Sequence, residues 1–188
     1  MENQEKILQV GLDLFAERGY DAVGVQEIAD AAGITKPTLY YYFGSKEGLL
    51  ESILSSHFSI LFNELDKTAI YQGDVKNALE SVTRTYFRFA SSQMTFYRFQ
   101  LACWFAPPQS AAFRAILNYG QKQQEILEVL FQQAAQDHGN MRGRQQRYAA
   151  SFLGLINTYI GLNINKLLEL DETIVCNTVH QFMHGIFS

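Results

Sequence analysis

Val25-Gln26-Glu27-Ile28-Ala29-Asp30-Ala31-Ala32-Gly33-Ile34-Thr35-Lys36-Pro37-Thr38-Leu39-Tyr40-Tyr41-Tyr42-Phe43 is the stretch on which the fold turns. Val25, Ile28, Ala29 and Ala32 recur at i, i+3, i+4 and i+7, the spacing of a helix with one buried stripe. Gly33 follows, and glycine takes the left-handed position after a helix without a Cβ penalty. Thr35 is a good N-cap for a further helix, and Pro37 falls in its first turn, where a missing N–H costs nothing. Leu39 and Phe43 are the i, i+4 core pair of that helix. Two short helices joined by Ala32-Gly33-Ile34 form a helix-turn-helix pattern. Ala29 must be small where the helices cross, while Ile28, Ile34 and Leu39 fill the core that sets the crossing angle.

Outward from this hairpin the helical period continues in both directions. Ile7, Val10, Leu14 and Phe15 form a stripe that stops at Gly19-Tyr20. Beyond Gly44-Ser45, Leu49, Leu50, Ile53, Leu54, Phe58, Leu61, Phe62 and Leu65 hold one face of a fourth helix for about five turns. No Pro, Gly or Ser linker separates the first 45 residues from the rest of the chain, so the fourth helix is expected to act as a rigid joint. Further helices are predicted from Gly73-Asp74 to Ser92, over 94–106, over 109–137 and 142–168, and from Asp171 to Ile186. The fold class is therefore all-α, with domains expected at 1–46 and 47–188.

Composition narrows the function. The chain has 188 residues, 47% of them hydrophobic and 18% charged, which excludes a disordered or fibrous protein. Its length is enough to bury a core without disulfides or a structural metal. Cys103 and Cys176 make no disulfide framework or zinc knuckle, and the polar N-terminus has no signal-peptide pattern. No apolar run long enough to span a membrane occurs. The net charge of −4 by itself argues against nucleic acid, and residues 1–50 carry all of it. A DNA-binding reading has to survive that. The acids Asp13, Glu17, Asp21, Glu27 and Asp30 belong to the first two helices, off the expected reading face.

The pieces Leu14-Phe15-Ala16-Glu17-Arg18-Gly19-Tyr20, Val25 to Phe43 and Ser45-Lys46-Glu47-Gly48-Leu49-Leu50 together resemble the DNA-binding domain of the TetR family of bacterial transcription repressors. One departure is Val23-Gly24, where the family usually caps the second helix with Ser or Thr; Gly24 has no hydroxyl for a phosphate. The resemblance implies that the third helix enters the major groove. With Leu39 and Phe43 facing inward, Lys36, Pro37, Thr38, Tyr40, Tyr41 and Tyr42 are free to face out. Three tyrosines in a row on a short polar helix have little folding rationale, but they serve as phosphate donors and base-edge contacts. By family position, Tyr40, Tyr41 and Lys46 go to phosphates, Lys36, Thr38 and Tyr42 to base edges or nearby backbone, and Gln26 is a further base contact. Thr35 and Pro37 complete the expected DNA-binding set.

One subunit presents one reading helix, whereas sites for this motif pair two helices roughly 34 Å apart, so a homodimer on palindromic or near-palindromic operator DNA is expected. The resemblance places the dimer contact on the last two helices, with Phe152, Ile156, Tyr159, Val175, Val179, Phe182 and Ile186 as interface residues. Residues 86–105 hold eight aromatics in twenty, which read either as core packing or, by the family's habit, as part of an effector pocket for an apolar or aromatic small molecule. The pocket residues so assigned are Tyr86, Phe89, Arg98, Phe99 and Trp104.

Glu172, Cys176, His180 and His184 follow at i+4 steps, but the two histidines drift round the helix away from Cys176 and are read as satisfied interface residues. No metal and no cofactor is expected. There is no glycine-rich phosphate loop, nucleophile elbow or paired-carboxylate motif, so no enzyme is expected. The leading function is a cytoplasmic, nucleoid-associated, ligand-responsive repressor. An adaptor whose helical body docks a partner protein is the second reading, and a helical metalloenzyme a distant third.

Overall fold

The computed structural model describes residues 2–185, and among them every regular element is a helix. These are α1 (Glu2–Arg18), α2 (Val25–Ala32), α3 (Lys36–Phe43), α4 (Lys46–Thr68), α5 (Val75–Ser92), α6 (Met94–Trp104), α7 (Ala111–Asp137), α8 (Gln145–Ile164) and α9 (Glu172–His184). A short 3₁₀ turn, Gly139–Met141, separates α7 from α8. The chain divides into two compact units. The first runs to Ser59 and takes in Thr95–Tyr119; the second holds Ile60–Met94 and the residues from Gly120 onward.

The first unit is built on the hairpin and an aromatic core. α1 stops where Gly19 turns to φ 83, and Tyr20 folds back onto Phe15 with ring centroids 5.1 Å apart. Residues 95–119 belong with the N-terminal helices because their aromatics pack there. Phe15 stacks on Phe99 at 5.8 Å, Phe58 stacks on Tyr119 at 4.6 Å, and His57 stacks on Phe96 at 4.3 Å. Tyr119 also donates its hydroxyl to Glu51 at 2.5 Å. These side chains lie far apart in sequence, so a cut after residue 46 does not follow the compact units.

The second unit centres on Leu61, Leu65, Leu79, Val82, Tyr86, Phe131, Phe152, Ile156 and Val179, all buried. α5 packs closely on α9, and the Arg84 guanidinium grips the Glu172 carboxylate through Nε and Nη2. α9 is capped by Asp171, whose Oδ1 accepts from Ile174 N–H at 2.8 Å.

α8 is shorter than the sequence pattern suggests. It begins at Gln145, after Gly143 at φ 73, and ends at Ile164 instead of 168. Lys166 takes the left-handed position at φ 59, Leu167 N–H bonds the Leu162 carbonyl at 2.9 Å, and Asn163 donates its side-chain amide to Leu168 O at 2.9 Å. A lysine serves where glycine is usual, so the sequence carries no stop signal there.

Candidate functional site

The reading head is fixed by caps on both sides of its turn. Gly24 caps α2 without any side-chain hydrogen bond, as its missing hydroxyl requires. Gly33 closes α2 in the left-handed conformation at φ 69, and Ile34 N–H returns to Ala29 O at 2.9 Å. Thr35 caps α3: its Oγ1 accepts from Thr38 N–H at 3.3 Å and lies 2.9 Å from Thr38 Oγ1. Beneath, Ile28, Ala29, Leu39 and Phe43 are buried. Removing the Leu39 side chain from water stabilises this small core by roughly 1.5–3 kcal/mol.

Above that core, the outward face of α3 is wet. Lys36, Pro37, Tyr40 and Tyr41 are exposed, Tyr41 at 83%, and Thr38 and Tyr42 are half-buried. Tyr41 and Tyr42 meet edge to face at 5.3 Å, which limits the rotamers each can take. Gln26 is exposed on α2, but its amide nitrogen is bonded to Asp30 at 2.6 Å. Lys46, half-buried, holds its ammonium 4.1 Å from the centroid of Tyr20 and 5.8 Å from that of Phe15. Partial burial pulls its pKa below the ordinary lysine value, against the opposing pull of Asp21 and Glu47. Tyr20 responds in kind, its phenol pushed up to about 12 by burial first and then by Glu47 and Asp21.

Two of the acids that opposed a DNA reading are occupied. Glu27 is ion-paired with Arg18, and Asp30 accepts from Gln26. One cation escaped the sequence reading: the Lys6 ammonium lies 3.7 Å from where a Cβ on Gly33 would stand, beside the turn and the carbonyl end of α2. A cation is favoured at that end of a helix. Only the folded hairpin reveals it, because Lys6 and Gly33 are far apart in sequence.

The five residues assigned to an effector pocket are divided between the two units. Tyr86 and Phe89 are buried in the second unit, Phe99 is buried against Phe15 in the first, and Arg98 and Trp104 of the first unit are exposed. Trp104 leans on Phe113 at 6.2 Å. The Tyr86 hydroxyl is fully buried and has no hydrogen-bond partner among the described residues, and burial pushes its pKa well above the ordinary tyrosine value. In the second unit a groove of about 620 Å³ is lined by Arg84, Phe87, Arg88, Ser91, Ser92, Leu170, Asp171, Glu172 and Val175, none of them among the five.

Four of the seven residues expected at the dimer contact are interior. Phe152, Ile156, Val175 and Val179 are at most 3% exposed within the chain, so they build the core of the second unit and not its surface. Phe182 is half-buried against Phe152 at 4.9 Å and Phe131 at 5.9 Å. Tyr159 is half-buried and donates to Gln181 at 3.1 Å. Ile186 lies outside the described residues. The outward large apolar residues of α8 and α9 among those described are Leu162, 37% exposed, and Met183, 41% exposed. Phe152, Ile156, Val175 and Val179 lie on the sides of α8 and α9 turned to the unit's own core, where their apolar surface is removed from water.

Among the described residues no three His, Cys, Asp or Glu side chains stand close enough to hold a metal ion, and no helix is long and apolar enough to cross a membrane.

With this geometry in view, the family model described as bacterial regulatory proteins, tetR family, matches residues 7–53. The chain is similar to the transcriptional activator FasR of Mycolicibacterium smegmatis, at 32% identity over 97 residues, covering 52% of this chain and 44% of that protein. It is similar also to the transcriptional repressor KstR2 of Rhodococcus jostii, at 38% identity over 80 residues, covering 43% of this chain and 39% of that one. The chain thus spans less than half the length of these two curated relatives. In fold it resembles FadR of Bacillus subtilis solved in complex with stearoyl-CoA, with a TM-score of 0.80, 18% identity, and coverage of 97% of this chain and 98% of the other.

Proposed function

We propose, on the premise that residues 7–53 make this chain a member of the tetR family of bacterial regulatory proteins, that it is a dimeric, sequence-specific transcriptional repressor released from its operator by a small molecule. The observation that carries the DNA reading is α3 itself. Leu39 and Phe43 anchor it while Lys36, Pro37, Tyr40 and Tyr41 face solvent. In this reading Tyr40, Tyr41 and Lys46 contact phosphates, and Lys36, Thr38 and Tyr42 read base edges or the adjoining backbone. Gln26 joins them on breaking its bond to Asp30, and Thr35 and Pro37 fix the entry of the helix into the groove. Lys46 leaves the ring of Tyr20 when it reaches a phosphate. The protein works in the cytoplasm, on the nucleoid when bound, and performs no catalytic step.

The effector is of the long-chain acyl-thioester class. Stearoyl-CoA on the similarly folded FadR supports this, as does the buried Tyr86 hydroxyl, which has no acceptor among the described residues. A buried hydroxyl left without a partner costs about 1–3 kcal/mol, and an acyl carbonyl accepting from it would recover that cost. Arg88, exposed in the groove beside Arg84, is a cation available for the phosphates of such a ligand, whereas Arg84 is held by Glu172. α4 runs without a break through Ser59 and Ile60, from the reading unit into the second unit, and is the element through which the ligand acts.

Titration of a labelled duplex, with and without stearoyl-CoA, tests the reading. Weakening DNA binding a hundredfold takes roughly 2.7 kcal/mol of differential affinity, and linkage requires operator DNA to weaken stearoyl-CoA binding by the same factor. Equal ligand affinity with and without DNA would remove the induction step.

A further inference from the structure

His180 and His184 lie four residues apart on α9, and both are exposed. Their imidazole rings stand 4.7 Å apart, centroid to centroid, at 44° to one another. α9 buries Val175, Thr178 and Val179 in its own unit. At about 100° per residue the two histidines stand roughly 140° and 180° round from Val175, so the pair faces away from the core. Among the described residues neither ring has a hydrogen-bond or ion-pair partner; each has only the other.

The spacing is that of a chelate. Two imidazoles on one tetrahedral ion, bound through metal–nitrogen bonds of about 2.0–2.1 Å, hold their centroids roughly 5 Å apart. The folded helix brings them to 4.7 Å. A closed zinc site takes four ligands, and this chain brings two to this one. Glu172 is bonded to Arg84, and no third His, Cys, Asp or Glu among the described residues completes a group.

We propose that His180 and His184 are half of a zinc site, completed by the same pair from a second copy, so that one ion joins two chains through α9. The proposal rests on the dimer reading above. It gives the two-fold contact a metal-dependent component. Other borderline divalent ions share this imidazole chemistry, and Zn²⁺ is the probe.

The test uses the full chain freed of any affinity tag. Zinc binding is read by competition with a colorimetric chelator, and the dimer dissociation constant by sedimentation equilibrium in EDTA and in ZnCl₂. The expected result is one zinc per two chains and a dimer dissociation constant at least tenfold lower in zinc. Both effects should vanish in His180→Ala and in His184→Ala, whose helix content by circular dichroism stays at the parent value, and both should persist in His138→Ala. Zinc binding that survives both α9 variants overturns the proposal, as does one ion per chain with the dimer unchanged. A chain that is dimeric in EDTA but takes up no zinc overturns the zinc site alone. A chain monomeric in both buffers overturns the dimer reading with it.

Discussion

Gly48→Ala is a one-carbon test of how α3 is held to α4. A Cβ at Gly48 would stand 1.9 Å from the carbonyl oxygen of Phe43, about 1 Å inside the 3.0 Å limit that real Cβ contacts essentially never cross. That oxygen cannot swing aside freely, because Ser45 N–H bonds it at 2.8 Å, and Ser45 Oγ in turn accepts from Gly48 N–H at 3.0 Å. Phe43 is the last residue of α3, so relief must come from moving the end of the reading helix. Overpacking of this kind costs about 1–3 kcal/mol. Alanine in a helix returns about 0.8–1.0 kcal/mol over glycine. Against a backbone atom at 1.9 Å the cost falls at the upper end of that range, so the clash wins by about 2 kcal/mol, which for a chain of this size lowers Tm by roughly 4–8 °C. Losing one well-made base contact through the shift would cost a further 1–3 kcal/mol or so of DNA affinity, roughly 5- to 150-fold. Scanning calorimetry and fluorescence anisotropy on the same preparation read both. A variant as stable as the parent or more so, with unchanged DNA affinity, would refute the claim that this corner positions α3.

Lys46→Ala should weaken all duplexes about equally and lower the salt slope by about 1, while Lys36→Ala or Thr38→Ala should change which sequence is preferred, as read by anisotropy across a salt series. Leu162→Asp and Met183→Asp, both at exposed apolar positions, should give monomers in sedimentation with helix content intact. Phe182→Asp would instead damage the cluster with Phe152 and Phe131 and lower Tm. Tyr86→Phe should raise the stability of the ligand-free protein by about 1 kcal/mol, since it removes an unsatisfied buried hydroxyl, and should weaken stearoyl-CoA binding by calorimetry. Arg84 holds the Glu172 carboxyl below its ordinary value of 4.5, so the pair's contribution is present above that pH and is lost as the pH falls through the depressed value. Urea denaturation should therefore separate Glu172→Gln from the parent at pH 7 and bring the two together at strongly acidic pH.

The hairpin was legible because each of its features is local. Gly33, Thr35 and Pro37 announce the turn and caps within a few residues, and Ile28, Ala29, Leu39 and Phe43 show the inward face by their period. The end of α8 was not, since Lys166 adopts a backbone conformation that its residue type does not advertise. The burial of Phe152, Ile156, Val175 and Val179 was illegible for another reason. α8 and α9 carry apolar residues on more than one side, and a sequence does not say which side meets the chain's own core. Packing gave that side to Phe152, Ile156, Val175 and Val179 and left Leu162 and Met183 outside. The cation at the turn, Lys6, and the aromatic seat of Lys46 on Tyr20 join residues separated in sequence, so no local pattern could announce them. The histidine pair shows the same limit at smaller scale: i+4 spacing permits an approach, but the rotamers decide it.

Selection of a random duplex library by the intact protein, followed by anisotropy on the enriched sequence, tests the central claim most directly. The expected result is a palindromic or near-palindromic motif whose half-sites are centred about one helical turn apart, roughly 34 Å, with a preference that shifts at defined base pairs when Lys36 or Thr38 is replaced. An enriched pool with no common motif, or a motif and affinity indifferent to every substitution on the outward face of α3, would contradict it.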